Sequence, residues 1–275
     1  MAACHNLRLS IVGEKPTPLN GYGPFNRRLS ALVNCYGFDV LRRGWSGANK
    51  GIALQAAMEN SSSRERGQAA GILIALEGID GTGKSTQLKL LARRLRELGL
   101  EVVTTFEPTD GPHGRYLRQM FKNRAQLPPK EELRLFIADR HDHVEQVIAP
   151  ALAAGKVVLT DRYYFSTAAY QGAAGHDPAA IIAENEQFAP RPDLVLLLEA
   201  PPAVGIARVR ELRGESLNDF EQEDYLRRVT AIFASLADSR IRRIDATGRL
   251  DQVQQRLWPP VAQLLRQQGL LHEDN

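Results

Sequence analysis

The sequence predicts an α/β protein: a parallel sheet with helices on both faces, a P-loop after its first strand and a short lid segment. Three observations predict it. From residue 71 onward, apolar runs of strand length alternate with helical patterns, the signature of βαβ units and a parallel sheet. The first run, Ile72-Leu73-Ile74-Ala75-Leu76-Glu77, passes directly into Gly78-Ile79-Asp80-Gly81-Thr82-Gly83-Lys84-Ser85-Thr86, a Walker A pattern between a strand and a helix, the context it needs. The third run, Val157-Val158-Leu159-Thr160, ends in Asp161-Arg162-Tyr163. That puts a carboxylate and a guanidinium at the strand ends where ligands gather in open parallel sheets.

The elements follow in order. Strand 72–77 leads through the glycine-rich loop into a helix of about 85–98, with Leu88, Leu91, Leu95 and Leu98 on one face and Gly99 as its stop. Residues 101–105 form the second strand. Helices are expected near 114–122 and 131–154, strands at 156–160, 194–199 and 240–245, and a closing helix at 251–267. No internal repeat or long low-complexity segment interrupts the pattern.

Composition narrows the function classes. The chain has 275 residues, 43% hydrophobic and 24% charged, and a net charge of +3, ordinary for a globular protein. No apolar run reaches the length of a membrane span. Residues 1–57 hold seven Lys/Arg against Glu14 and Asp39; that +5 out of a total of +3 leaves the remainder at −2. A body of that charge argues against a nucleic-acid duplex as main partner. The only cysteines, Cys4 and Cys35, lie in the same basic stretch, so the body has no disulfide, thiolate metal site or cysteine nucleophile, which suits the reducing cytoplasm. His141 and His143 are two apart and do not share a helix face; they are read as solvated helix positions, not a metal pair.

Residues 1–57 lack periodicity and lack a secretory signal pattern. They read as a transit peptide, a small accessory segment, or a mis-assigned start, since Met58 opens a polar leader just ahead of the first strand. Residues 1–70 are therefore expected to be a poorly ordered or dispensable extension, and residues 71–275 the P-loop nucleotide-binding domain.

The loop names the ligand. Glycines let successive N–H groups turn inward around an anion, and the following helix adds the positive end of its dipole. Residues 78–86 are thus the candidate ATP-binding set, with Lys84 on the β- and γ-phosphates and the Ser85 hydroxyl on Mg²⁺. Asp161 is the natural second contact for Mg²⁺ or its waters, and Arg162 a fork for a second phosphate. A strand-end salt bridge is the plainer reading of that Asp-Arg pair taken alone.

Several segments occur together in a fixed order: Glu77 through Thr86, Phe106-Glu107-Pro108, Leu135-Phe136-Ile137-Ala138-Asp139-Arg140, and Asp161-Arg162-Tyr163 continuing to Ser166-Thr167 and Tyr170-Gln171-Gly172. In order and spacing they resemble the thymidylate kinase family over about residues 71–270. The resemblance implies transfer of the γ-phosphoryl group of ATP to dTMP, with Mg²⁺, in a homodimer. It implies that Phe136 stacks on the thymine, Arg140 reads a base carbonyl, and Thr167 meets the base edge. Tyr170 lies near the sugar, Arg162 clamps the acceptor phosphate, and Asp80 contacts the acceptor sugar or phosphate. Glu107, Ser166 and Gln171 complete the dTMP set. For each of these a plain packing or surface role is the alternative.

Two departures from the family pattern matter. The residue before Glu107-Pro108 is Phe106, where the family often has arginine. The loop interior, Ile79-Asp80-Gly81-Thr82, carries no cation, so the resemblance implies that the lid supplies the arginine for the transferring phosphoryl group. Arg213 and Arg210 are the favoured candidates, with Arg208 behind them. Two other readings stand beside this one: another nucleoside or nucleotide kinase of the same fold, or a P-loop ATPase acting on a partner macromolecule.

Overall fold

The computed structural model describes residues 71–121, 127–213 and 223–271. The expectations about residues 1–70 lie outside the described residues.

Five strands form one parallel sheet in the order β2-β3-β1-β4-β5, with β1 Ile72–Glu77, β2 Val102–Phe106, β3 Val157–Asp161, β4 Leu194–Glu199 and β5 Ile241–Asp245. β1 sits centrally because its side chains are apolar on both faces and all six of its residues are buried, as a strand covered twice requires. Ile72, Ile74 and Leu76 face one layer with α1 (Lys84–Glu97) and α9 (Leu250–Gln267), through Leu88, Leu91, Leu95, Leu257, Val261 and Leu265. Leu73 and Ala75 face the other, with α5 (Tyr164–Ala173) and α8 (Glu223–Ser235), through Phe165, Ala169, Val229 and Phe233. Period-two alternation on the strand thus meets helical spacing on both sides. The edge strand β5 is arginine-rich, with Arg242 and Arg243 exposed, which discourages further strand pairing.

The remaining helices are α2 Pro112–Met120, α3 Pro129–His143, α4 Ala149–Ala153, α6 Pro178–Asn185 and α7 Pro202–Arg213. The single helix expected over 131–154 is instead α3, a π-helical turn at Val144–Ile148, and α4. There the Ala149 N–H reaches back five residues to Val144 O. Pro150 has no N–H for a regular α-helical bond, and the widened turn falls immediately before it. Gly99 ends α1 as expected, at φ 83°, with its N–H on Arg96 O at 2.9 Å and the Leu100 N–H on Leu95 O at 3.1 Å. The helices α5, α6, α7 and α8 were not specified by the pattern reading.

Parallel pairing brings all five strand ends to one edge. Sheet order reverses at β1, since β2 and β3 lie on one side and β4 and β5 on the other. The crevice outside such a switch point is where open α/β sheets bind ligands.

Candidate active site

The loop after β1 folds as its glycines allow. Gly78, Gly81 and Gly83 all have positive φ. At Gly81 a Cβ would come within 2.1 Å of Gly205 O on α7, so only glycine lets the loop lie against that helix. Thr82 Oγ1 donates to Ile79 O at 2.8 Å and Lys84 Nζ to the same carbonyl at 2.9 Å. Lys84 is only 5% exposed, and burial lowers its ammonium pKa to about 8, with neighbouring Arg162 pushing the same way. A triphosphate would reverse that, because its charge favours the ammonium form.

Ser85 Oγ donates to Asp161 Oδ2 in a short hydrogen bond between α1 and the end of β3. A hydroxyl and a carboxylate side by side beside a phosphate loop are the hard oxygen donors that Mg²⁺ uses when phosphates and waters fill its other positions. The residues present therefore fit the ion.

Arg162 follows at φ 74°, a left-handed conformation that costs a non-glycine residue of order 1–3 kcal/mol. Its N–H bonds Leu76 O at 2.9 Å, and its side chain turns back over the P-loop. One guanidinium nitrogen, Nη2, donates to Asp80 Oδ1 at 2.7 Å, and the other, Nη1, to Ser166 Oγ at 2.9 Å and Gly78 O at 3.2 Å, while the group lies 4.9 Å from the Tyr170 ring centre. Asp80, Arg162, Ser166 and Tyr170 are thus one cluster at the loop mouth, as the sequence reading grouped them.

Glu77 was quoted only as part of a motif, yet it organises this turn. Fully buried at the end of β1, its carboxylate accepts from the Tyr163 N–H at 2.9 Å, the Ser166 N–H at 3.2 Å and the Ser166 hydroxyl. It caps α5, whose own N-cap side chain makes no such bond. Burial raises its pKa to about 7 against the opposing effect of these bonds and of Arg162. A charged residue ending an apolar strand was the available signal.

A second cluster joins α3 to the segment after β2. Arg140, 1% exposed, donates through Nε to Glu107 Oε2 at 3.0 Å, through Nη1 to Asn185 Oδ1 at 2.6 Å and through Nη2 to Thr167 Oγ1 at 2.9 Å. Glu107 opens a cis peptide to Pro108. His143 corrects the sequence reading: it is buried, with Nδ1 at 2.9 Å from Glu107 Oε1 and Nε2 at 2.6 Å from Thr105 Oγ1. It lies one turn past Arg140 near-enough to share the same carboxylate, so the i, i+3 relation to Arg140 carried the information, not the spacing from His141. Burial opposes the Glu107 charge, but Arg140 and His143 prevail and hold its pKa below the ordinary value. Asp139 anchors the same segment, accepting from the Thr109 N–H at 2.8 Å and the Thr109 hydroxyl at 2.6 Å.

Phe136 lies on α3 one turn before Arg140, half-buried beside Leu117, Leu127 and Leu135. Gln171 is buried on α5 and its Nε2 donates to Glu132 Oε2 at 3.0 Å. Phe106 is 43% exposed at the end of β2, its ring 5.9 Å from the Arg118 guanidinium.

The lid candidates separate. Arg208 bridges the phosphate loop to the β5–α9 connection, donating to Ala246 O at 2.8 Å, Thr247 O at 3.2 Å and Gly81 O at 3.4 Å. Arg210 is exposed on α7. Arg213 ends α7, and its side chain lies outside the described residues. Among the described residues no helix is long and apolar enough to cross a membrane.

Comparison with known proteins identifies the family. The family model described as thymidylate kinase matches residues 76–257. A thymidylate kinase of Desulfotalea psychrophila is 51% identical over 196 residues, covering 71% of this chain and 96% of that protein. Thymidylate kinases of Xanthomonas campestris pv. campestris and Xanthomonas euvesicatoria pv. vesicatoria are 50% and 49% identical over 183 residues, covering 66% of this chain and 79% and 80% of theirs. On the match of the family model and the identity to these relatives, the chain belongs to the thymidylate kinase family.

Proposed function

We propose that this chain transfers the γ-phosphoryl group of ATP to dTMP, giving ADP and dTDP. The observation that carries the reading is the pairing of two different anion-binding sets at one strand edge. Lys84 and the loop form one; Arg162, held by Asp80 and Ser166, forms the other. A donor and an acceptor phosphate placed there lie side by side.

The chemistry needs no protein nucleophile or base. With a second pKa near 6, the acceptor phosphate is already largely ionised at neutral pH. One of its oxygens forms the new bond to the γ-phosphorus as the bond to the β–γ bridging oxygen breaks, and that oxygen leaves on ADP. Rate enhancement comes from alignment and charge neutralisation. The loop N–H groups and Lys84 hold the donor; Arg162 holds the acceptor in line. Ser85 and Asp161 would hold Mg²⁺, which supplies charge neutralisation at the donor phosphates when bound. Arg210 or Arg213 is assigned the task of meeting the transferring group, because residues 79–82 carry no cation. On the acceptor side, Phe136 and Arg140 take the base, Thr167 its edge and Tyr170 the sugar, with Asp80, Glu107, Ser166 and Gln171 supporting them.

The reading extends to a homodimer in the cytoplasm with small-molecule substrates, no nucleic acid and a dispensable stretch 1–70. An ADP-release assay with dTMP, dUMP, dCMP, AMP and thymidine tests it. The reading predicts that dTMP gives the highest kcat/KM; a clear preference for AMP or for thymidine would move the protein to another kinase class.

A further inference from the structure

We propose that Glu77 is a positioning residue for acceptor-phosphate binding: its Oε2 takes the proton of the Ser166 hydroxyl, which leaves the Ser166 oxygen as an acceptor for Arg162 and seats the guanidinium at its Nη1 end. The proposal rests on the reading that Arg162 holds the acceptor phosphate, and it names what holds Arg162.

The two oxygens of Glu77 divide the work. Oε1 accepts both backbone bonds, from the Tyr163 N–H at 2.9 Å and the Ser166 N–H at 3.2 Å. Oε2 accepts the Ser166 hydroxyl. A hydroxyl has one proton to give, and an ionised carboxylate only accepts. Having donated to Glu77, Ser166 Oγ can only accept, and it accepts from Arg162 Nη1 at 2.9 Å. Glu77 and Ser166 are both buried, so the chain of carboxylate, hydroxyl and guanidinium is polarised in one direction with little competition from water.

The seating matters because all four Nη hydrogens of Arg162 are engaged. Nη1 donates to Ser166 Oγ and to Gly78 O at 3.2 Å, and Nη2 to Asp80 Oδ1 at 2.7 Å and to the Tyr170 hydroxyl at 3.3 Å. A phosphate drawn to this group has to take over part of that set. The Nη2 end is the accessible one, since the Asp80 side chain is 30% exposed, whereas Nη1 meets a main-chain carbonyl and a buried hydroxyl on the first turn of α5. Exchange at Nη2 with Nη1 held as a pivot keeps the guanidinium plane in place while its partner changes. The backbone behind it is pinned as well, with the Arg162 N–H on Leu76 O, the Arg162 carbonyl accepting from Thr160 Oγ1 at 2.8 Å, and the next N–H on Glu77 itself. Glu77 thus holds Arg162 from both the main-chain and the side-chain end.

The test is Glu77→Gln, assayed at pH 8, above the Glu77 pKa of about 7, where the wild-type carboxylate is charged. The amide has one acceptable orientation. Its oxygen keeps both backbone bonds, whereas the reverse would set an amide N–H against two N–H donors. Its nitrogen then donates to Ser166 Oγ, which meets two N–H donors while its own proton loses the carboxylate. KM for dTMP should rise about 10-fold, with KM for ATP within two-fold of wild type. The sign is diagnostic, because deleting a negative charge near Arg162 would by itself favour an anionic acceptor and lower its KM. Ser166→Ala removes the hydroxyl but leaves the backbone bonds to Glu77; it should raise KM for dTMP to a similar extent, and adding Glu77→Gln to it should raise KM no further. An unchanged or lowered KM for dTMP in Glu77→Gln, or a double variant in which the two effects multiply, overturns the proposal. Should Glu77→Gln fail to fold, Ser166→Ala carries the test, and an unchanged KM for dTMP there overturns the proposal by itself. Wild-type protein with no dTMP turnover in the same assay overturns the functional reading instead.

Discussion

Replacing Glu107 by alanine isolates the buried charge cluster that joins α3 to the segment after β2. Side-chain exposures in the Glu107–Arg140 pair are 4% and 1%, so the variant leaves a guanidinium in the interior with only the neutral oxygens of Asn185 and Thr167. Removing one partner of a buried pair costs about 3–5 kcal/mol. At 2–4 °C per kcal/mol for a domain of this size, the melting temperature should fall by about 6–20 °C. The assay is thermal unfolding followed by circular dichroism at pH 7, together with KM for dTMP, which should rise because Arg140 loses its anchor. The double variant Glu107→Leu/Arg140→Met removes both charges and should be more stable than Glu107→Ala. The pH dependence has a definite sign. Because the Glu107 pKa is lowered in the fold, its contribution is present above the ordinary carboxylate value and is lost as pH falls through the folded value. A melting temperature within 2 °C of wild type would refute the claim that this pair is buried and charged.

Lys84→Ala should retain the fold and lose about 10²–10³-fold in kcat, the usual effect of deleting one charge-stabilising contact. Since the Lys84 pKa is about 8 without nucleotide, ATP binding near pH 8.5 should take up protons; calorimetry in buffers of different ionisation enthalpy should detect the uptake in wild type and find less in Lys84→Ala. Arg162→Lys keeps a charge but loses the fork that now spans Asp80 and Ser166, so KM for dTMP should rise about 10-fold with KM for ATP little changed; the opposite pattern would place Arg162 in the donor site. Glu77 has a folded pKa of about 7 against 4.5, so its contribution is fully present below the lower value and lost as pH rises through the upper one. The stability difference between wild type and Glu77→Gln should accordingly shift against wild type by about 3 kcal/mol between pH 4.5 and 8, and a flat difference in chemical denaturation would contradict this. Alanine at Arg210 or Arg213 should cut kcat by about 10²-fold or more in at least one case, with substrate binding near normal; kcat within a few-fold in both would take the lid out of the chemistry.

The conformation of the glycine-rich loop was legible because its physics is local. A loop that wraps an anion needs glycines at fixed offsets, and a strand ending in Asp161-Arg162 announces its own edge. The central strand was legible for a similar reason, since its apolar residues face two layers. His143 was misread because burial is decided by what docks on a helix, here Glu107 and Thr105 from a strand end. Glu77, Glu132 and Asn185 escaped for the same reason: each bonds across the fold to a residue 39 to 89 positions away. The π-helical turn before Pro150 hid inside a continuous helical pattern, because widening by one residue leaves periodicity almost intact.

The most direct test of the account follows the phosphorus atom. Purified protein is given ATP labelled in the γ-phosphate, together with Mg²⁺ and dTMP, and the products are separated. The account predicts label in the β-phosphate of dTDP, in one-to-one ratio with ADP formed and dependent on dTMP. Label appearing chiefly as inorganic phosphate, at a rate indifferent to dTMP, would contradict it and mark the protein as an ATPase.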